Sequence, residues 1–312
     1  MIKTIMSSKM PVDELLRIRK NSVRCTGSKK RFCIVTGTHG DELEGQYVCF
    51  LLSKLFAEHK DKLRANVDIY PAINPLGIDS ITRGIPNFDL DMNRIFPGDE
   101  NGSIAEITAR KIIDDIAGAD MVIDIHSSNI FLREVPQARI NAQCADKLVP
   151  YAKLLNIDFI WIHEAATVLE ATLAHSLNSI GTPTIVVEMG VGMRINRGYC
   201  ERLAAGILNL MKKMGMWAGE IGFASKISSP EISSNGEVEF INAKASGIFV
   251  HSIDHSDEVG KGSVIGKIVE PLTGKVLHTV TSSEDGFLFT LRAYPVVYEG
   301  SLLARIYRRK AK

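Results

Sequence analysis

The stretch "GTHGDELEG", residues 37–45, sets one histidine, one aspartate and two glutamates among three glycines. Before it, "RFCIVT" (31–36) is apolar enough for a buried strand, and after it "QYVCFLLSKLFAEHK" (46–60) carries helical spacing. The unit reads as strand, glycine turn, helix. Four titratable side chains crowd the point where two core elements meet, and such groups are costly there unless they bind something or pair.

The same alternation recurs along the chain. Val- and Ile-rich runs at Arg31–Thr36, Val67–Ile73, Met121–Ile125, Phe159–Ile162 and Thr184–Val187 read as strands. Helical periods fall between and after them, at Leu43–His59, Ile104–Ile116, Ala142–Leu155, Leu169–Ile180 and Gly198–Met214. Continuous apolar strands alternating with helices predict an α/β fold: a mixed, mainly parallel sheet covered by helices on both faces. Beyond about Trp217 the helical period stops, and short glycine-punctuated β-type runs take over. This predicts a catalytic α/β domain over 1–224 and a smaller all-β domain over 225–312. The second resembles the barrel-sandwich hammerhead of biotinyl and lipoyl domains in "DEVGKGSVIGKI" and "EDGFL", without their modified lysine.

Charge sets further bounds. The 37 basic and 36 acidic residues leave a formal +1, too little for a field that gathers nucleic acid or an anionic membrane. The basic end, "RIYRRKAK", reads as a solvated tail. No run approaches the roughly 18–20 apolar residues that span a bilayer, and "MIKTIMSSKMPVDELL" lacks the apolar centre of a signal peptide. The five cysteines are odd in number and scattered, so buried thiols in a reducing cytoplasm are expected.

The polar residues of interest gather at strand ends. His39 and Glu42 follow the first run, Asn74 the second, His126 the third, and Glu188 closes the fifth. In open parallel α/β sheets, ligands bind outside the carboxyl ends of the strands. Two histidines and a carboxylate with one open position are the usual ligand set of a catalytic zinc. His39-x-x-Glu42 brings two ligands into one turn, where Gly37 and Gly40 permit positive φ and close approach. His126 completes the set, and Asp124, on the same strand face, is placed to orient a ligand. Glu188 is expected as a general base, or else as half of an ion pair. The long aperiodic stretch from Asn74 to Gly98 carries Arg83 and Arg94, fixed cations suited to a carboxylate or oxyanion, or to pairing with Asp89 or Asp91.

Taken in order, "GTHGDELEG", "NPLG", "DLDMNRIFPG", "DIHSS" and "VVEMG" resemble the succinylglutamate desuccinylase/aspartoacylase family of the zinc carboxypeptidase-like superfamily. The resemblance implies one zinc per chain on His39, Glu42 and His126, with Glu188 as acid/base. It implies that Arg83 polarises the scissile carbonyl, while Asn93 and Arg94, with Asn74 nearby, hold a substrate carboxylate. The activity implied is hydrolysis of a linear amide in a small N-acyl amino acid. A carboxypeptidase on short peptides and an inactive metal-binding sensor are the alternatives. The partner is then a small molecule, with neither nucleic acid nor membrane, and a homo-oligomer stays open. A substrate arginine that aspartoacylases carry before the glutamate has no counterpart in "LAHSLNSIGTPTIVVE", where Asn178 stands near its place. Arg133 and Arg139 are alternative anion contacts, and Tyr294 and Tyr298 are candidates for the family's C-terminal tyrosine.

Overall fold

The computed structural model describes residues 1–86, 88–164, 170–223, 229–233 and 237–308. The expected domain boundary at 224/225 and Leu169, the expected start of a helix, lie outside them. The chain opens with a hairpin, β1 (Ile2–Lys9) and β2 (Leu15–Val23), which no continuous apolar run marks. Then come β3 (Arg31–Thr36), α1 (Glu44–Glu58), β4 (Asn66–Ala72), α2 (Pro75–Ser80), α3 (Ile104–Ile116), β5 (Met121–Ser127) and β6 (Leu132–Asn141). The next elements are α4 (Ala145–Ala152), β7 (Phe159–His163), α5 (Leu173–Ser179), β8 (Thr184–Gly190) and α6 (Arg197–Lys213). The remainder is all strand: β9 (Glu231–Ser233), β10 (Val238–Asn242), β11 (Gly247–His251), β12 (Glu258–Val259) and β13 (Val264–Glu270). It ends with β14 (Lys275–Thr281), β15 (Gly286–Arg292), β16 (Val296–Val297) and β17 (Leu302–Arg308).

A 13-stranded sheet runs β1-β2-β4-β3-β5-β8-β6-β15-β17-β10, with β7, β9 and β12 attached at its sides. The expectation of a mainly parallel sheet needs correcting. Parallel pairing holds in the centre, β4-β3-β5-β8, and from β6 through β7 to β9. Antiparallel ladders outnumber these: β1-β2, β2-β4, β8-β6, β6-β15, β15-β17, β17-β10 and β12-β15. The reason is local. β1, β2 and β6 carry charged residues, and β6 also a proline, so they lack the continuous apolar run of a twice-covered parallel strand.

Helices do cover both faces. Side chains alternate along β3, so Phe32 and Ile34 pack with α1, α4 and α6, whereas Cys33 and Val35 pack with α3 and α5. Val48, Cys49, Leu52 and Phe56 form the buried stripe of α1. A capping box between Ser103 and Glu106 starts α3. A four-stranded sheet, β14-β13-β11-β16, shares a separate apolar core with β15 and β17, which gives the expected C-terminal β layer. That layer is continuous with the main sheet, because β15 pairs with β6. Cys33 and Cys49 are buried thiols, as expected. Among the described residues, no helix is long and apolar enough to cross a membrane.

Candidate metal and catalytic site

The turn after β3 is built on backbone contact. Gly37 holds φ +71°, which L side chains rarely adopt. Gly40 has no positive φ; a Cβ there would sit 1.9 Å from the Gly77 carbonyl carbon, inside backbone. Asn74 locks the facing loop: its amide donates to the carbonyls of Thr38 (3.2 Å) and Gly84 (3.1 Å) and its oxygen caps α2 at Gly77 (3.0 Å). Asn74 is buried by these bonds and does not line the central cavity, so the structure gives it a loop-holding place where a substrate contact was expected.

His39, Glu42 and His126 come together, all buried, with one ligand atom of each within 4.8 Å of the others. His39 Nδ1 lies 2.6 Å from Glu42 Oε1, and His126 Nδ1 lies 3.0 Å from Oε2. Each ring turns its other nitrogen to an outer carboxylate: His39 Nε2 is 3.0 Å from Asp91 Oδ1, and His126 Nε2 is 3.2 Å from Asp124 Oδ2. At His39 a proton on Nε2, facing Asp91, leaves the Nδ1 lone pair turned toward Glu42, whereas at His126 the approach to Asp124 is a charge contact without hydrogen-bond geometry. Carboxylates behind metal-binding histidines fix ring and tautomer through the hydrogen bond they accept. Asp124 was anticipated from strand periodicity. Asp91 was legible only as a partner for Arg83.

The electrostatics favour positive charge at the centre of this set. Burial alone would lower the pKa of His39 and His126, yet carboxylates raise both: Glu42 and Asp91 around His39, Asp124 and Glu42 around His126. Burial would raise the Glu42 carboxyl, but His39 and His126 hold it well below the usual range. The donor set, two nitrogens and a carboxylate with second carboxylates behind, fits a zinc ion.

Glu188 stands beside His126, its register partner on the neighbouring parallel strand. Its Oε1 pairs with Arg139 Nη1 at 3.2 Å, the ion pair that was the bland expectation for this residue. Burial pushes its carboxyl up, against the pull of Arg139 and His126. Arg83 reaches in from the loop, Nη1 3.2 Å from Glu42 Oε1, while Nε and Nη2 are held by Asp91 Oδ2 at 3.3 and 3.2 Å. Asn93 accepts from the Leu173 backbone (3.0 Å) and so ties this loop to α5; exposed Arg94 donates to the Asn93 carbonyl at 2.7 Å.

His39, Glu42, Arg83, Asn93, Arg94, His126 and Glu188 line one cavity of about 580 Å³, with Asp124, Ser127, Glu134, Arg139, Asn178 and Arg305 among its other walls. It continues along β8 and α5 to Cys144 and Leu148. His163 lines it too, and His255 is satisfied by Tyr199 (2.7 Å) and Asp254. Arg133 pairs with Asp254 and neither it nor Tyr294 nor Tyr298 is a lining residue. Glu44 opens α1 as its first residue. It is wholly buried, bonded by Ser127 Oγ and the Val191 N–H, and burial pushes it up to about 7.

The family model described as the succinylglutamate desuccinylase/aspartoacylase catalytic domain matches residues 28–214. A curated relative from Halomonas elongata, N-alpha-acetyl-L-2,4-diaminobutyric acid deacetylase, is 24% identical over 274 residues, 83% of this chain and 76% of its own. The solved succinylglutamate desuccinylase/aspartoacylase from Rhodobacter sphaeroides superposes with a TM-score of 0.82 at 20% identity, covering 99% of this chain and 96% of that one. The product-bound ectoine utilization protein EutE (DoeB) from Ruegeria pomeroyi gives 0.81 at 18% identity, over 97% and 93%. At these identities the two structures show a shared fold.

Proposed function

Because the chain belongs to the succinylglutamate desuccinylase/aspartoacylase family, we propose that it is a zinc-dependent hydrolase cleaving the amide of a small N-acyl amino acid or related N-acyl compound. The observation that carries this reading is the convergence of both Nδ1 atoms on Glu42 beside Glu188 and Arg83 in one cavity. A zinc ion on His39, Glu42 and His126 would supply Lewis-acid polarisation of the scissile carbonyl and acidify an attacking water. Glu188 takes that proton and delivers it to the leaving nitrogen. Its burial makes it a better proton carrier at neutral pH than an exposed glutamate. Arg83 is a fixed cation for the developing oxyanion, held in place by Asp91. Asn93 and Arg94 face the cavity where a substrate carboxylate would enter. A cavity of about 580 Å³ suits a small molecule.

The test is amine release by metal-loaded protein across N-acetyl, N-succinyl and longer N-acyl amino acids, N-acetyl diaminobutyrate and a dipeptide series. Release from N-acyl amino acids is expected, and Glu188→Gln should lower kcat by about 10²–10⁴-fold while metal content stays at one equivalent. Turnover of dipeptides alone would favour a carboxypeptidase. A metal-binding protein with no turnover, or a Glu188→Gln variant with full turnover, would end the reading.

A further inference from the structure

Glu134 is wholly buried on β6, where a carboxylate is costly unless compensated. It is compensated from three sides. Arg139 Nη2 donates to both its oxygens at 3.0 and 2.8 Å, Thr290 Oγ1 donates to Oε1 at 3.3 Å, and Arg305 Nη1 donates to the same oxygen. Sheet register explains the meeting. Glu134 stands opposite Thr290 between β6 and β15, Thr290 opposite Arg305 between β15 and β17, and Arg305 opposite Phe240 between β17 and β10. Directly opposed residues on one sheet face touch, so this line carries a C-terminal side chain to the cavity wall. Trp161 backs both guanidinium groups, at 5.7 Å from Arg139 and 5.4 Å from Arg305.

We propose that Arg305, Glu134 and Arg139 form a positioning chain for Glu188, so that a strand of the C-terminal β layer sets the placement of the acid/base carboxylate. The proposal rests on the role given to Glu188 above. Its logic is charge balance in a confined space. Glu134 and Glu188 are two anions, and Arg139 and Arg305 are two cations. With Arg305 in place, Arg139 splits its fork between the two carboxylates. Without Arg305, a single guanidinium faces both, and the bidentate pull of the fully buried Glu134 draws it away from Glu188. On this account Arg139 is spent on protein carboxylates and is no seat for a substrate anion.

Steady-state kinetics on the full chain test this, with thermal melts to establish that each variant is folded. Arg305→Met should lower kcat about 10²-fold, the cost of misplacing a reacting group by an ångström or so, with KM nearly unchanged. Arg305→Lys, which can still pair with Glu134, should recover part of the loss, and Thr290→Val should show a smaller fall in kcat. A folded Arg305→Met with wild-type kcat overturns the proposal. So does a rise in KM at constant kcat, which would mark Arg305 as a substrate anchor. If Arg305→Met does not fold, wild-type kcat in both Arg305→Lys and Thr290→Val overturns it. Glu188→Gln is run alongside. If that variant is inactive while the Arg305 and Thr290 variants are normal, only the positioning chain fails; if Glu188→Gln keeps turnover, the acid/base assignment fails with it.

Discussion

At His39 the two ring nitrogens have different surroundings, Glu42 at Nδ1 and Asp91 at Nε2. Asp91 serves three groups at once: it also accepts from Arg83 and from the Asn93 backbone N–H. Burial would raise its carboxyl, but His39 and Arg83 hold it well below the usual range, so it stays ionised. One carboxylate therefore faces the outer nitrogen of His39 and holds the Arg83 guanidinium at the same time. Asp91→Asn should weaken zinc binding by roughly 10–100-fold, the usual cost of losing such an outer partner, measured by competition with a chromophoric chelator. An affinity equal to the parent's would show that His39 needs no outer carboxylate.

At the scale of elements, the site depends on how tightly the β3–α1 turn packs on the loop at Gly77. Gly40→Ala puts a methyl group into that backbone, and overpacking of this kind costs about 1–3 kcal/mol. The expected result is a lowered urea midpoint together with weaker metal binding, because His39 and Glu42 flank the displaced residue. A stability loss with metal affinity intact would uncouple the turn from the ligands. This turn was legible in the sequence, since an apolar strand, glycines and a helical period have strong local signatures. The central strands β3, β4, β5 and β8 were legible for the same reason, and with them the convergence of His39, His126 and Glu188. β6 was not: "LREVPQARIN" interleaves charges and a proline with apolar residues, and its charges are satisfied only by partners far along the chain. Arg305 was read as part of a solvated tail, whereas β17 holds it half-buried and paired with Glu134. No local pattern announces a pair 171 residues apart.

Across the whole molecule, the N-terminal hairpin is fastened to the core by a buried charge cluster that no motif signals. Lys20 on β2 reaches Asp68 on β4 (3.3 Å), Asp115 on α3 (2.6 Å) and the Tyr70 hydroxyl (3.3 Å). Asp68 also takes Arg24 and Arg31, each at 3.1 Å, and the Ser22 hydroxyl. Burial would raise the Asp68 carboxyl, but Ser22, Lys20, Arg24 and Arg31 lower it overall. Its folded pKa therefore lies below the unfolded value, about 3.9 for a free aspartate. A group shifted this way contributes stability that is complete above the unfolded pKa and fades as pH falls through that value toward the folded one. Asp68→Asn leaves Lys20 and Arg31 short of an anion, so it should cost roughly 3 kcal/mol at pH 7. That difference from the parent should shrink steadily as pH drops from 5 to 3 in urea titrations. A difference that stays constant across this window would mean that Asp68 acts through its shape and hydrogen bonds, with its charge contributing nothing to the attachment of the hairpin.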